Sequence, residues 1–264
     1  MKLIMFSFIL LCLSHILPAQ EYAIQQLENS PRHHEWVKIA SKERNVLAFV
    51  AYPEVAKDAQ AVVVIHENRG LTDWVRSFAD QMAALGYLAI APDLLSDFDE
   101  NHEKTSTFEN SDAARNAIYQ LDADQVTNDL QQVVKYISKA NGSNGQVSVV
   151  GFCWGGGQSF RFATNSSQIK NAFVFYGSGP MDAADIARIH APVYGFYGEN
   201  DQRVNATIEK SEALMKSNNK KYEYVIYPGA GHAYMRIGDD PEADQASKAA
   251  TKASYERIKE ILGN

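Results

Sequence analysis

The feature that most constrains the fold is a β-forming run that leads directly into a glycine-rich turn and then into a helix. Residues 146–150 have strand-like composition, residues 151–157 carry the turn, and residues 158–163 have helix-like composition. Cys153 is the central residue of a Gly-x-Cys-x-Gly pattern in that turn, which is typical of a nucleophile elbow. Such a turn lifts the central side chain above the sheet edge, at a helix N-terminus whose dipole favours the thiolate. A buried, inert cysteine is the alternative that this short pattern leaves open.

Residues 1–19 have the pattern of a secretory signal peptide. Lys2 provides a short positive start, residues 3–13 are almost wholly apolar, and residues 17–19 resemble a small-residue cleavage site. The apolar run is shorter than the roughly 20 residues that a membrane-spanning helix needs, so a retained anchor is the less favoured alternative. We therefore expect an exported protein, periplasmic or secreted, with its domain over residues 20–264 and no stable membrane association after signal removal.

The number of cysteines supports a chemical role for the elbow. The chain contains two cysteines, and Cys12 lies within the predicted signal peptide. The mature chain would keep only Cys153, which then has no partner for an intramolecular disulfide. Because oxidising compartments trap exposed thiols, one thiol kept inside the elbow is predicted to have a chemical function.

Length, composition and charge favour a single domain and argue against one class of partner. The chain has 264 residues, of which 45% are hydrophobic, and this suffices for one large α/β domain with a full core. No internal repeat, low-complexity run or proline- and glycine-rich linker divides it. A net charge of −7 argues against nucleic-acid binding, which requires a basic face. Neither charge nor composition defines an oligomeric state.

The pattern of hydrophobic residues predicts alternating strands and helices. Strands are expected over residues 61–65, 87–91, 146–150, 171–176, 193–197 and 221–227, after a hairpin over 36–40 and 46–52. Amphipathic helices are expected over residues 73–85, 124–140, 204–217 and 244–262. This order implies an α/β fold with a mostly parallel central sheet, helices on both faces, and a site at the carboxyl ends of the strands.

A nucleophile elbow needs a base and an acid that orients it, in the chain order nucleophile, acid, base. Asp201 and His232 each follow a predicted strand, and glycines around His232 allow its loop to fold towards the elbow. Glu199 is an alternative acid, in which case Asp201 would only cap the following helix. Of the histidines, only His66 and His232 lie at the predicted sheet edge, and only His232 follows the acid. No metal-ligand spacing occurs, so no metal site and no cofactor are expected.

Several motifs together resemble the dienelactone hydrolases, a branch of the α/β-hydrolase fold with a cysteine nucleophile. They are Gly-x-Cys-x-Gly-Gly at Cys153, the later Asp201, the Gly-x-Gly-His loop, and His-Glu-Asn-Arg-Gly over residues 66–70. Residues 87–94 are also similar to a strand and turn of the family, and the resemblance covers roughly residues 61–261. It implies an α/β-hydrolase fold and a carboxymethylenebutenolidase-like activity that cleaves a small-molecule ester or lactone through a cysteinyl acyl-enzyme.

The same resemblance implies roles for further residues. Glu67 would contact Cys153 and help to generate its thiolate, acting as a proton acceptor when substrate binds. The oxyanion hole would use the backbone N–H groups of Trp154 and Asn68. Arg236 would hold a substrate carboxylate. For Glu67 and Arg236, an ordinary solvated loop position is the alternative.

Other points remain open at the level of sequence. The family's second substrate arginine has no secure counterpart, and Arg115 is the nearest candidate. Residues 96–121 are a candidate cap over the site. A thiol acyltransferase or peptidase on the same triad, and a non-catalytic binding protein on the same scaffold, are the alternative functions.

Overall fold

The computed structural model describes residues 18–42, 44–55 and 57–263, and these residues build one eight-stranded sheet. The strands are β1 His34–Ser41, β2 Arg44–Ala51, β3 Ala59–Ile65, β4 Leu88–Pro92, β5 Ser143–Phe152, β6 Ala172–Phe175, β7 Val193–Gly198 and β8 Tyr222–Tyr227. Their spatial order is β1-β2-β4-β3-β5-β6-β7-β8. Among the described strands, β2 runs in the opposite direction to the other seven, so the predicted mostly parallel sheet is confirmed.

Helices cover both faces of the sheet, as the alternating pattern predicts. They are α1 Pro18–Glu28, α2 Asp73–Ala84, α3 Ser111–Ile118, α4 Ala123–Ile137, α5 Trp154–Asn165, α6 Ala183–Ala187, α7 Gln202–Asn205, α8 Ile208–Ser217, α9 Tyr234–Gly238 and α10 Gln245–Leu262. One core joins residues of α1, α2, α9 and α10 to one face of the sheet. The other core joins residues of α4, α5, α6 and α8 to the opposite face.

The central strand β3 shows how this arrangement follows from the sequence. All seven of its residues are buried. Val62 and Val64 enter one core, whereas Ala61, Val63 and Ile65 enter the other. A strand covered on both faces needs apolar side chains at successive positions, which explains its nearly continuous apolar run.

The structure confirms the early hairpin and corrects one predicted helix. Strands β1 and β2 pair antiparallel, with Val37 opposite Ala48. The single helix predicted over 204–217 is wrong, because α7 ends at Asn205 and α8 begins at Ile208. The break follows from local hydrogen bonds, since both the N–H and the hydroxyl of Thr207 bond to the carbonyl oxygen of Val204.

Helix α1 lies across the end of the predicted signal peptide. Residues 1–17, which carry most of that prediction, lie outside the described residues, and α1 begins at Pro18. Ala23 of α1 is buried in the core. Within the described part of the chain, no helix has the length and apolar character to cross a membrane.

Candidate active site

The predicted elbow lies between β5 and α5. Cys153 has φ 55° and ψ −115°, a conformation that residues other than glycine rarely adopt. A Cβ added to Gly155 would lie 2.3 Å from the carbonyl oxygen of His66, and one added to Gly151 would lie 1.9 Å from that of Gly155. These glycines therefore let the turn close against the end of β3, with Cys153 at the carboxyl edge of the central strands.

Opposing influences act on the charge of the Cys153 thiol. Burial and the negative charge of Glu67 raise its pKa from 9.0 to about 11. The backbone N–H groups of Trp154 and Asn68 and the charge of Arg203 lower this pKa. The N–H group at the start of α5 thus lowers the pKa of the thiol, as predicted, but burial and the charge of Glu67 raise that pKa by more. The resting residue is a protonated thiol at neutral pH.

His232 and Asp201 form a hydrogen-bonded pair. Nδ1 of His232 lies 2.5 Å from Oδ2 of Asp201, which is 6% exposed. The other carboxylate oxygen of Asp201 accepts from the Val204 N–H at 3.4 Å, so this residue also caps α7. Glu199 accepts a hydrogen bond from the Gly229 N–H at 2.8 Å and supports the loop before His232. Of the two candidate acids, Asp201 is therefore the one in contact with the imidazole.

The two backbone donors expected for the oxyanion hole both influence the Cys153 thiol. Hydrogen bonding from the N–H groups of Trp154 and Asn68 favours the thiolate and lowers the pKa of Cys153. In the described residues no hydrogen bond joins Cys153 to His232. The predicted oxyanion donors therefore act on the thiol, whereas in the described residues the imidazole is not hydrogen-bonded to the sulfur.

Glu67 interacts with both Cys153 and Arg236. Its carboxylate accepts a hydrogen bond from Arg236 Nε at 2.8 Å, and its side chain is 9% exposed. Arg236 belongs to α9, which begins two residues after His232. The arginine expected to hold a substrate carboxylate thus holds a carboxylate of the protein itself, and that carboxylate also acts on the thiol.

The candidate cap, residues 96–121, lies against the edge of this site. Trp154 packs on a small apolar cluster that includes Ala114 and Ile118 of α3. The hydroxyl of Tyr119 accepts a hydrogen bond from the side chain of Asn68 at 3.2 Å. Arg115 lies on the exposed side of α3, 3.7 Å from Asp112, and its described contacts do not reach the nucleophile. Residues of this segment therefore contact both Trp154 and Asn68, whereas the described contacts of Arg115 do not include Cys153.

Two further residues at the site were not predicted. Tyr176 is 1% exposed, has φ 39°, and places its ring edge-on to His232 with centroids 5.1 Å apart. Burial and the charge of Glu67 raise the pKa of Tyr176. Arg203 follows Asp201 by two residues on α7 and acts on the Cys153 charge. Position at the carboxyl ends of β6 and β7 is the sequence signal that could have found both residues.

The described ranges contain no group of three or more histidine, cysteine, aspartate or glutamate side chains suited to hold a metal ion. The described groups at the site are a thiol, a carboxylate–arginine pair and a histidine–aspartate pair.

Solved structures define the class of this fold. A Klebsiella pneumoniae protein provisionally described as a dienelactone hydrolase superposes with a TM-score of 0.75 at 24% identity, over 86% of this chain and 97% of that one. The hyperthermophilic esterase of Pyrobaculum calidifontis superposes with a TM-score of 0.64 at 15% identity, over 93% and 92% of the two chains. The predicted α/β-hydrolase fold is confirmed.

The sequence relatives are more specific. The profile of the dienelactone hydrolase family matches residues 46–264, a span that contains every candidate site residue above, and the chain belongs to that family. A Salmonella typhimurium protein provisionally named a carboxymethylenebutenolidase is 30% identical over 207 residues, covering 74% of this chain and 76% of that protein. A Bradyrhizobium protein provisionally named a 2-oxo-3-(5-oxofuran-2-ylidene)propanoate lactonase is 26% identical over 228 residues, covering 82% and 90%. Membership places the chain among hydrolases of esters and lactones.

Proposed function

We propose that this protein hydrolyses a small ester or lactone through a cysteinyl acyl-enzyme, with a carboxymethylenebutenolidase-like activity. The observation that carries the proposal is the position of Cys153. It stands in a strained elbow, where hydrogen bonding from the Trp154 and Asn68 N–H groups favours the thiolate, and the Asp201–His232 pair lies at the same edge of the sheet. A strained nucleophile next to preorganised donors is a typical arrangement for acyl transfer.

Activation is proposed to begin at the Glu67–Arg236 ion pair. A carboxylate on the substrate would compete with Glu67 for the guanidinium, since both are anions of the same kind. Glu67, once released, would accept the proton of the Cys153 thiol, whose resting pKa of about 11 otherwise keeps it protonated. The thiolate would thus form chiefly when substrate is bound, and the empty enzyme would be less open to oxidation.

The thiolate then attacks the carbonyl carbon, and a carbon–sulfur bond forms as the carbonyl electrons move to oxygen. The N–H groups of Trp154 and Asn68 stabilise that oxyanion, at roughly 3 kcal/mol for each donor. Collapse breaks the carbon–oxygen bond, and the leaving alkoxide takes up the proton that Glu67 accepted from the thiol, which restores the Glu67 carboxylate. Neutral His232 then takes a proton from a water molecule as it attacks the thioester carbonyl. The second collapse breaks the carbon–sulfur bond and releases the acid, and the departing sulfur takes the proton back from His232. Asp201 orients the imidazole and stabilises its charged form.

Two relatives support a substrate that carries a carboxylate near the reacting bond. The Bradyrhizobium protein is named for a lactone that ends in propanoate, and the Salmonella protein is named for a butenolide lactone. In the present chain, Arg236 beside Glu67 is the cation that we propose to bind this carboxylate. We therefore propose a lactone or ester with a nearby carboxylate as the substrate class.

A substrate panel tests this assignment. Esters and lactones with and without a carboxylate are assayed with the wild type and with Arg236→Met. The preference is the ratio of kcat/KM for substrates with a carboxylate to kcat/KM for substrates without one. Loss of the guanidinium should lower this ratio by roughly 10- to 100-fold, which corresponds to the free energy of a charge-assisted hydrogen bond. The matched control is Arg115→Met on α3, which should leave the ratio unchanged. An unchanged ratio in Arg236→Met would contradict the proposed substrate class.

We also propose that the protein is exported. The apolar run over residues 3–13 and the small residues at 17–19 support this proposal. Cleavage after residue 19 would leave the buried Ala23 of α1 in place. Mass spectrometry of the cell-envelope and secreted fractions should find a mature N-terminus near Gln20. An intact N-terminus beginning at Met1 on a cytoplasmic protein would contradict export.

A further inference from the structure

His66 is a fully buried polar side chain that the proposed chemistry does not use. It follows β3 and is 0% exposed. Its Nδ1 lies 2.7 Å from the carbonyl oxygen of Glu67, and its Nε2 lies 3.2 Å from the backbone nitrogen of Leu94, which follows β4. Both ring nitrogens are therefore in hydrogen bonds with backbone groups of two different loops.

The partners determine the protonation state of the ring. A backbone N–H can only donate, so Nε2 of His66 must accept from Leu94. A carbonyl oxygen can only accept, so Nδ1 must carry the proton that binds Glu67. Burial also lowers the pKa of His66, against an opposing effect of the Asp93 charge. The side chain is thus a neutral imidazole with its proton on Nδ1.

The carbonyl that His66 binds belongs to the same peptide unit as the Asn68 N–H. The described residues contain no cis peptide bond, so in this planar unit the Glu67 carbonyl and the Asn68 N–H point in opposite directions. A donor fixed on the carbonyl side therefore sets the direction of the N–H on the other side, which acts on the Cys153 sulfur. Hydrogen bonding at the carbonyl also polarises the unit and strengthens the N–H as a donor.

The ring of His66 also contacts the second oxyanion donor. It stacks on the indole of Trp154 with centroids 5.5 Å apart and an angle of 13° between the planes. The backbone of His66 lies against Gly155, where an added Cβ would come within 2.3 Å of the His66 carbonyl oxygen. The His66 side chain thus contacts Trp154 and the peptide unit that carries the Asn68 N–H.

We infer that His66 is the positioning residue of the oxyanion hole, holding the Asn68 N–H through the Glu67 carbonyl and bracing Trp154 through ring stacking. This role rests on the proposed function, because an oxyanion forms only if a carbonyl is attacked. It predicts that His66 matters for reactions that build an oxyanion and not for other reactions of the same thiol.

Two reactions of Cys153 separate these cases. Ester acylation builds an oxyanion, whereas alkylation by iodoacetamide is a direct displacement that does not. His66→Phe keeps an aromatic ring beside Trp154 but removes both hydrogen bonds. Its acylation rate should fall roughly 10- to 100-fold, somewhat less than for the loss of a whole oxyanion donor. Because the Asn68 N–H also lowers the pKa of Cys153, alkylation is compared as the rate per thiolate, taken from the pH profile. This rate should change less than about threefold, since the thiol itself remains in place.

His66→Asn is the matched control, because its Nδ2 is bonded to Cγ as Nδ1 of histidine is and can donate to the Glu67 carbonyl. It loses the acceptor for Leu94 and the ring stack, so its unfolding temperature should fall as in His66→Phe. The acylation rate of His66→Asn should nevertheless lie much closer to that of the wild type than the rate of His66→Phe does. Equal falls of acylation and alkylation in His66→Phe, or equal acylation in both variants, would overturn the inference.

A measurement on the wild type tests the hydrogen bonds of His66 even if a variant does not fold. Nitrogen-15 NMR of labelled histidine should show one imidazole that stays neutral with its proton on Nδ1 from pH 5 to 9. A His66 resonance with the proton on Nε2, or on both nitrogens, would overturn the inference. If the wild type forms no acyl-enzyme, the proposed function fails and this role with it. Normal acylation in both the wild type and His66→Phe would overturn only the role of His66.

Discussion

Replacement of Cys153 by alanine is expected to lower kcat/KM for ester hydrolysis by roughly 10⁴- to 10⁶-fold, the loss usual for a removed nucleophile. The thiol is the group that forms the covalent bond in the proposed reaction. Cys153→Ser should retain a small activity above that of the alanine variant, because His232 and Asp201 form the same pair that serine enzymes use. Initial rates with one activated ester for the three proteins provide the comparison.

Alkylation of the thiol and thermal unfolding are the controls for this prediction. Once residues 1–19 are removed, Cys153 is the single thiol, so iodoacetamide should abolish activity when one equivalent is bound. Thermal unfolding of Cys153→Ala should match that of the wild type within a few degrees, since a small, partly buried side chain is replaced. Full activity in a folded alanine variant would exclude the proposed nucleophile.

Glu67→Gln is expected to change two rates in opposite directions. Ester hydrolysis should fall by roughly 10²- to 10⁴-fold, the usual effect of a lost proton acceptor. Alkylation of the resting thiol near pH 8 should instead become faster. The negative charge of Glu67 helps to raise the pKa of Cys153 to about 11, so its removal lowers that pKa and increases the thiolate fraction at any pH below it. Each unit of decrease in the pKa gives about tenfold more thiolate.

The measurement is the rate of both reactions from pH 5 to 10. The alkylation profile of Glu67→Gln should be displaced to lower pH than that of the wild type. Glu199→Gln is the matched control, because Glu199 is an exposed carboxylate that contacts Gly229 and not the thiol. Superimposed profiles for wild type and Glu67→Gln in both assays would make Glu67 an ordinary loop residue and leave a plain cysteine–histidine–aspartate site.

Local patterns predicted the parts of the site that depend on chain order and sheet position. The glycine pattern at 151–157 defined the elbow, and strand ends located Asp201 and His232 on one edge of the sheet. The choice between Asp201 and Glu199 needed the three-dimensional structure. The two residues are two positions apart in the same loop, and only the fold determines which carboxylate reaches the imidazole.

Other parts depend on contacts between residues far apart in the chain. Glu67 and Arg236 are separated by 169 residues, so no local pattern indicates that they bind each other. The protonation state of Cys153 also depends on such distant contacts. The helix N-terminus favours the thiolate, but burial and the charge of Glu67 raise the pKa of Cys153 by more. Residues 96–121 were predicted as a candidate cap, but helix α3 within them was not predicted, because only one side of that short helix is buried.

The central claim is that an acyl group is carried on the sulfur of Cys153, and intact-protein mass spectrometry after acid quenching tests it most directly. Mixing the wild type with excess activated ester and quenching within the first turnover should show one added acyl mass. Peptide mapping should place that mass on Cys153 as a thioester that hydroxylamine removes. Cys153→Ala should show no added mass. Rapid hydrolysis with an unmodified protein at every quench time, or an acyl mass on another residue, would contradict the account.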